Sequence, residues 1–256
     1  MLILWVLIVP VHADTILAIV SPRNVSELVS GAHDYLKDKP SEQINIRTTE
    51  QWSALSPQQQ NTLLTSADLV FSGGVFGDSA ELLNNALSQG IINNFIAVHS
   101  DRRLVSASKV HGKSLLLNAD IDSLMENPDP TQAPELWVNE RLALFPQYHD
   151  WLLTRLFWLG RNSSNMLGLF DQLGHVLNSD KTTYIPQLVS PLRGYYLDHI
   201  VSLAQFDFSQ KKSWVVLLDY ETGDRHGEKR LLDSLCTGIE SDNIGCMAVL
   251  AGWGKA

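Results

Sequence analysis

The chain has few of the residues that point directly to a chemistry. Among its 256 residues are two cysteines without CxxC spacing and eight histidines with no HxxxH or HExxH spacing, so no zinc site is indicated. Neither a GxSxG nucleophile elbow nor a Walker GxxxxGK[S/T] loop is present. His99-Ser100-Asp101 has the residue types of a hydrolase triad, but adjacent residues on an extended chain point in different directions. The sequence identifies no metal centre and no catalytic residue.

Positive charge is also scarce. The 19 Lys and Arg residues against 28 Asp and Glu residues give a formal net charge of -9. Such a chain repels phosphate backbones, and its basic pairs Arg102-Arg103 and Lys211-Lys212 are isolated, so we expect no nucleic-acid partner. Hydrophobic residues nevertheless make up 45% of the chain, which is typical of a globular protein.

Apolar runs of membrane length are absent. The apolar segment Met1–Ala13 is shorter than the roughly 20 residues that a membrane-spanning helix needs. Its ending, Val11-His12-Ala13, is typical of a secretory signal cleaved after Ala13, although no Lys or Arg precedes the apolar core. The alternatives are a start further upstream or a buried first strand. We expect a signal peptide at 1–13, a periplasmic or otherwise exported location with the cytoplasm as the alternative, and no transmembrane span in the mature chain.

The two cysteines leave two interpretations open. Cys236 and Cys246 can form a disulfide in an oxidising compartment. They can equally be two small buried residues, one on a helix and one at the start of a strand. The second interpretation is our expectation from the sequence.

Strands and helices alternate between residues 14 and 127. Short β-rich runs predict strands at 14–20, 44–46, 68–72, 95–99 and 114–117. Helical patterns between them favour a parallel sheet covered on both faces, as in a Rossmann- or flavodoxin-like α/β domain. Ligands on such sheets bind at the carboxyl ends of the strands. The loops Ser21–Asn24, Gly73–Asp78 and Ser100–Arg103 are therefore predicted to line one rim, with the glycine-rich loop forming a tight turn.

The pattern changes after residue 127. Residues 128–178 are predicted to be a helical segment whose tryptophans pack a helical layer, and residues 179–212 an extended connection. Residues 213–256 then give a strand at 214–218 that is expected to be buried, a loop, a helix, and a strand at 246–250. Two strands and one helix cannot cover both faces of a parallel sheet. We therefore expect 213–256 to be the start of a second, truncated α/β domain.

The order of these blocks resembles the amino-terminal region of the CobN and magnesium-chelatase H-subunit family. Three stretches carry the resemblance: Ala67–Gly74, Gly194-Tyr195-Tyr196 and, most strongly, Trp214–Lys255 with its Thr222-Gly223-Asp224. It covers most of the chain at low similarity, and the proteins of that family are several times longer. One departure is that relatives have Tyr followed by His-Pro, where this chain has Tyr196-Leu197-Asp198 and places His199 two positions further on.

The resemblance implies part of a cobaltochelatase or magnesium-chelatase large subunit, a ligase that inserts a metal into a corrin or porphyrin, as in cobalamin biosynthesis. It implies a tetrapyrrole substrate, cobalt or magnesium as the inserted ion, and ATP used through ATP-hydrolysing partner subunits. The principal functional His and Glu residues of the family lie beyond the matched region, so this chain alone is expected to be inactive. The alternative is an exported, non-catalytic tetrapyrrole- or metal-binding protein.

The best candidate for substrate binding is the loop after the strand at 214–218. Backbone N–H groups at the start of the following helix favour anions such as tetrapyrrole carboxylates. Arg225 can pair with a carboxylate bidentately and His226 can approach a metal. The competing interpretation is a solvated turn in which Gly223 has a positive φ and Asp224 caps the helix. The candidate residues are Glu221, Thr222, Gly223, Asp224, Arg225 and His226.

Overall fold

The protein folds into two α/β units, each built on its own sheet. The computed structural model describes residues 14–126, 134–160, 162–179, 182, 184–188, 193–197, 199–203, 205–220 and 229–251. The predicted signal segment 1–13 lies outside these residues. An α/β fold with a mostly parallel main sheet is what the alternation of strands and helices predicted.

The elements of the first unit follow the predicted alternation closely. In chain order they are β1 (Thr15–Val20), α1 (Val25–Asp38), β2 (Gln43–Thr48), α2 (Thr49–Ser53), α3 (Pro57–Ser66), β3 (Leu69–Gly73), α4 (Gly77–Ser88), β4 (Phe95–Val98), α5 (Arg102–Ser106), β5 (Lys109–Val110), β6 (Lys113–Ser114), α6 (Ile121–Leu124), α7 (Pro134–Leu144), α8 (His149–Gly160) and α9 (Ser163–Asn178).

The first sheet is parallel at its centre. Its order is β2-β1-β3-β4-β5-β6, in which β1 to β4 run parallel and β5 and β6 are antiparallel additions. Five consecutive residues of β1, Ile16–Val20, are at most 1% exposed, as expected of a strand covered on both faces. The start of α3 shows how local sequence sets the boundaries, because Ser56 and Gln59 cap each other reciprocally and Pro57 occupies the first turn.

The predicted strand at 114–117 is wrong. Strand β6 ends at Ser114, and turns follow. The Ser114 hydroxyl accepts a hydrogen bond from the Leu116 N–H at 3.2 Å, which gives the backbone a local partner instead of a strand. Leu117 is 69% exposed, and Asn118 has a φ of 60°, so the chain turns here rather than entering the sheet.

Helices cover both faces of the first sheet. Helix α1 connects β1 to β2, and α2–α3 connect β2 to β3, which lies on the other side of β1. Crossovers between parallel strands are right-handed, so two crossovers that run in opposite directions across the sheet place their helices on opposite faces. Helix α9 packs along α1, with the rings of Tyr35 and Phe170 6.1 Å apart, and α4 packs with α2. Since α8 packs on α9, the helices of 134–178 complete the face that α1 begins.

The tryptophans of α8 are packing residues, as predicted, and they pack against the strands as well as within the helical layer. Trp151 and Trp158 are fully buried in the same cluster as the strands, and the Trp151 indole N–H donates to the Ala97 carbonyl at 2.9 Å. The Trp158 ring lies over the end of β3, where a Cβ added to Gly73 would come within 2.5 Å of it. A residue without a side chain is therefore required at position 73.

The second unit is smaller. Its elements are β7 (Arg193–Tyr196), β8 (His199–Ser202), β9 (Ser213–Tyr220), α10 (Lys229–Ile239) and β10 (Ile244–Ala251). The sheet order is β8-β7-β10-β9, with β9 and β10 parallel and joined by α10, which is the predicted strand–helix–strand unit. Strands β7 and β8 lie where the sequence showed no periodicity, because four-residue strands are too short to display one.

The expectation that 214–218 is a buried strand is wrong. Strand β9 ends the sheet in the described part of the chain. Val215 is 38%, Val216 49% and Leu218 82% exposed. The apolar run predicted burial on both faces, but the edge position leaves the strand open to solvent.

No helix in the described ranges has both the length and the apolar character to cross a membrane.

We predict that Gly73→Ala lowers the free energy of unfolding by about 1–3 kcal/mol, because the added methyl group overpacks the Trp158 ring. The same substitution should cost less in a Trp158→Leu background, where the ring is gone. Urea denaturation of the four proteins in this double-mutant cycle measures the coupling. Equal costs of Gly73→Ala in both backgrounds would contradict the packing argument.

Candidate functional site

The three predicted rim loops of the first sheet do lie together at the carboxyl ends of its strands. The Ser21 N–H donates to the Gly73 carbonyl at 3.0 Å, and the Asp101 N–H donates to the Val75 carbonyl at 2.9 Å. The Ser100 hydroxyl accepts from the Val75 N–H at 3.1 Å. These bonds join the loops that follow β1, β3 and β4 into one rim.

The residues His99, Ser100 and Asp101 do not form a catalytic triad. The Ser100 side chain is buried and holds the rim backbone. Asp101 caps α5 and pairs with the Arg103 guanidinium at 3.0 Å, and the His99 ring lies 6.2 Å from the Phe76 ring. The three side chains serve separate contacts, as the argument from adjacent residues predicted.

A cavity of about 590 Å³ opens at this rim, on the side of α2 and α4. Two carboxylate side chains, Glu50 and Asp78, are among its lining residues, which disfavours phosphate. Gly74 and Gly77 have φ values of 71° and 61°, as expected of the tight turn predicted for this loop. The lining residues are Thr49, Glu50, Ser53, Gly74, Phe76, Gly77, Asp78 and Ser79.

The predicted substrate-binding loop lies outside the described residues. Glu221, Thr222, Gly223, Asp224, Arg225 and His226 all fall there, and the structure describes the elements on either side of them. Strand β9 ends at Tyr220 and α10 begins at Lys229. The loop thus connects the carboxyl end of a parallel strand to the start of an eleven-residue helix, the position that the prediction assumed.

The expectation that the two cysteines are unlinked is wrong. Cys236 on α10 and Cys246 on β10 form a disulfide with Cα atoms 5.1 Å apart. The sequence separation of ten residues gave no indication of this contact, which exists because α10 folds back on the strand that follows it. The bond ties the helix to the buried centre of the second sheet.

A second cavity, of about 390 Å³, lies beside this disulfide. Asp233 lines it from α10 and Glu240 from the position just after that helix. The Tyr195 hydroxyl donates to the Asp233 carboxylate at 2.6 Å. These residues are not among those predicted from the sequence. They could have been found from the sequence, because positions 233, 236, 237 and 240 repeat at helical spacing. The lining residues are Tyr195, Leu197, Asp233, Cys236, Thr237, Glu240 and Cys246.

Glu240 connects four parts of the second unit. Its carboxylate accepts from the Cys246 N–H at 2.7 Å and from the Tyr196 hydroxyl at 3.1 Å, and it pairs with Lys211 at 3.0 Å. Desolvation alone would raise the pKa of Glu240, but these donors together lower it below the ordinary value of 4.5. The same pair raises the pKa of Lys211. Glu240 therefore fixes α10, β7 and β10 to one another as an anion.

No metal site emerges from the described residues. In that part of the chain, no three His, Cys, Asp or Glu side chains are grouped so that they could hold an ion. His199 lies exposed on β8 opposite Tyr196 in the β7–β8 hairpin.

We predict that the stability of the second unit falls on acidification, with Glu240 as a principal cause. Because the folded-state pKa lies below 4.5, its contribution is full above the unfolded pKa and is lost as the pH falls through the folded pKa. Glu240→Gln should cost about 1–3 kcal/mol at pH 7 and flatten the pH dependence below about 4.5. Urea unfolding monitored by tryptophan fluorescence tests this, with exposed Asp242→Asn as control; an unchanged acid limb in Glu240→Gln would refute it.

Comparison with known proteins gives a structural likeness at low sequence identity. No protein-family model matches the chain, and no curated protein matches it. Among solved structures, the chain is similar to the catalytic subunit of cobaltochelatase from Mycobacterium tuberculosis, with 14% sequence identity and a TM-score of 0.45. The alignment covers 94% of this chain and 16% of that one, so the chain spans about one sixth of the protein that it resembles.

Proposed function

We propose that the chain is the amino-terminal part of a CobN-like large subunit that inserts a metal into a corrin or porphyrin. One observation supports this proposal above the others, namely the order of the units along the chain. A parallel sheet is followed by a layer of helices and then by a parallel β9–α10–β10 unit. This is the order of blocks on which the sequence resemblance to that family rests.

Within the proposal, this chain contributes to holding the tetrapyrrole. The loop 221–226 follows a parallel strand and precedes a helix, where backbone N–H groups and the helix dipole attract carboxylates. Arg225 would pair with a carboxylate at the edge of the ring. His226 would approach the metal as a neutral imidazole. Cobalt or magnesium is the substrate ion, and ATP hydrolysis belongs to partner subunits.

A second candidate function is favoured by the disulfide between Cys236 and Cys246. Stable disulfides form in oxidising compartments and are rare in the cytosol. The bond therefore supports an exported, non-catalytic protein that binds a tetrapyrrole or a metal. Genomic DNA downstream of the Ala256 codon separates the candidates: a continuing homologous frame supports the large subunit, whereas a stop codon supports the exported binding protein.

We predict that the purified chain changes the visible absorbance of a metal-free porphyrin that carries carboxylate side chains. Arg225→Ala with His226→Ala should weaken binding by about ten- to hundredfold, because a charge-assisted hydrogen-bonded pair contributes about 1.5–3 kcal/mol. The matched control is His33→Ala with Lys37→Ala, which removes a histidine and a cation from the exposed surface of α1. No spectral change at high micromolar protein would refute tetrapyrrole binding, and equal affinity of both double variants would refute the loop as its site.

We predict that residues 1–13 direct export. Fused to a phosphatase that is active only after its disulfides form, the segment should give phosphatase activity in intact bacteria. Leu7→Lys with Val9→Lys interrupts the apolar core and should abolish that activity. An inactive fusion with the unaltered segment would show that the signal-peptide prediction is wrong.

A further inference from the structure

Helix α10 packs on the second sheet through one stripe of residues with Cys236 at its centre. Leu232, Cys236 and Ile239 repeat at spacings of four and three and therefore share a face of the helix. Leu232 is buried and Ile239 is half-buried, whereas Leu235, beside this stripe, is 46% exposed. The disulfide from Cys236 to Cys246 of β10 thus joins the middle of this stripe to the sheet.

The apolar contact beneath α10 is small. In the described part of the second unit, the buried cluster at this helix consists of Tyr195, Leu232 and Ala248, with Leu217 packed against them. Of these four residues, Leu232 alone belongs to the helix. One buried leucine is a weak anchor for an eleven-residue helix, because the hydrophobic effect grows with the apolar area removed from water. The helix therefore depends on its other attachments to the sheet.

Two hydrogen bonds flank the disulfide along the helix. The Tyr195 hydroxyl donates to the Asp233 carboxylate, in the first half of α10, at 2.6 Å. The Glu240 carboxylate, just after the end of α10, accepts from the Cys246 N–H at 2.7 Å. The covalent bond lies between these two contacts. Breaking it removes the strongest of the three attachments and leaves the other two in place.

The two sulfur atoms differ in their access to solvent. Cys246 is 1% exposed, whereas Cys236 is half-buried. The cavity of about 390 Å³ beside the bond is lined by both cysteines and by Thr237 of the same helix. Thiol–disulfide exchange requires a thiolate to reach one sulfur directly, and access helps to decide which sulfur is attacked. Cys236 is therefore the sulfur that a small thiol reaches from this cavity.

We propose that this disulfide is a redox switch that holds α10 on the second sheet and is opened by a dithiol. One thiolate of the dithiol attacks the Cys236 Sγ, the S–S bond breaks, and Cys246 leaves as a thiolate that takes up a proton. The second thiolate of the dithiol then attacks the reductant sulfur bound to Cys236 and expels Cys236, which is protonated in turn. The dithiol ends as a disulfide, and the protein gains two electrons and two protons.

Reduction frees the helix and leaves the sheet intact. Strand β10 pairs with β9 over the eight residues Ile244–Ala251 and with β7 on its other side, through backbone hydrogen bonds. These bonds do not involve a cysteine side chain. The reduced chain therefore keeps its second sheet, while α10, which begins at Lys229, separates from it more often. The inference concerns the helix and does not rest on tetrapyrrole binding.

Amide hydrogen exchange of the unaltered chain, with and without dithiothreitol, tests the switch. The two cysteines are bonded to each other, so the dithiol acts on one bond. The amides of α10 should exchange about ten- to hundredfold faster after reduction, because disulfides typically stabilise by at least the corresponding free energy. The amides of α1 and β9 should exchange at unchanged rates.

Equal protection of α10 before and after reduction would overturn the proposal. Faster exchange throughout β9 and β10 would also overturn it, because the bond would then hold the whole unit together. Cys236→Ala with Cys246→Ala is the matched control, since it keeps small apolar side chains and removes the bond. Its α10 should exchange rapidly with and without dithiothreitol, and a response of this variant to the dithiol would show that the reductant acts elsewhere.

Trapping the mixed disulfide tests which sulfur is attacked. The oxidised chain is treated briefly with a monothiol, the released thiol is alkylated with a maleimide, and the peptides are mapped by mass spectrometry. The monothiol on Cys236 with the maleimide on Cys246 should exceed the reverse pattern by about tenfold. In the urea-unfolded chain, where both sulfurs are exposed, the two patterns should approach equality. Equal patterns in the folded chain would show that Cys236 is not the point of attack.

Discussion

The burial of the α8 tryptophans against the first sheet is the contact on which the rest of this unit depends. Trp151 is anchored by its hydrogen bond to Ala97, and the Trp158 ring packs against Gly73. Together with α9 they cover a face that α1 alone would leave half open. A parallel sheet with fully buried strands needs both faces covered, so the helices of 134–178 belong to the core of this unit.

This packing also decides where the first unit can accept a ligand. The carboxyl ends of β1 and β3 flank the point where the strand order reverses, which is where open α/β sheets usually bind ligands. Here the indole of Trp158 fills the space over Gly73 on one face. The cavity that remains opens on the side of α2 and α4 and is lined by two carboxylates. Neither feature suits an anionic ligand.

The sequence predicted the parts of the fold that local pattern controls. Strands at 14–20, 44–46, 68–72 and 95–99 were predictable because each is a β-rich run ended by turn residues or followed by a helix. The predicted strand at 114–117 failed because the Ser114 hydroxyl satisfies a nearby N–H. Strands β7 and β8 were missed because their pairing with β10 and with each other is tertiary and leaves no periodicity in four residues.

In the candidate site, too, some features were predictable from local sequence and others were not. The position of loop 221–226 followed from the strand before it and the helix after it, both of which are local patterns. The disulfide did not follow, because Cys236 and Cys246 meet only when α10 packs on β10. Glu240 was also missed, although its helical spacing from Asp233 was readable, since its partner Lys211 lies 29 residues earlier in the sequence.

The two sheets show that strands of similar apolar sequence can be buried in one sheet and exposed in the other. Strands β1 and β9 both have largely apolar sequences, and each has a parallel partner reached through a helix. Strand β1 has a second neighbour, β3, and its inner residues are buried. In the described part of the chain β9 has a neighbour on one side, and Leu218 is left 82% exposed. Exposed apolar area of this kind carries a free-energy cost of about 25 cal/mol per Å². The burial of an apolar strand is therefore set by its neighbours in the described sheet, and its own sequence does not determine it.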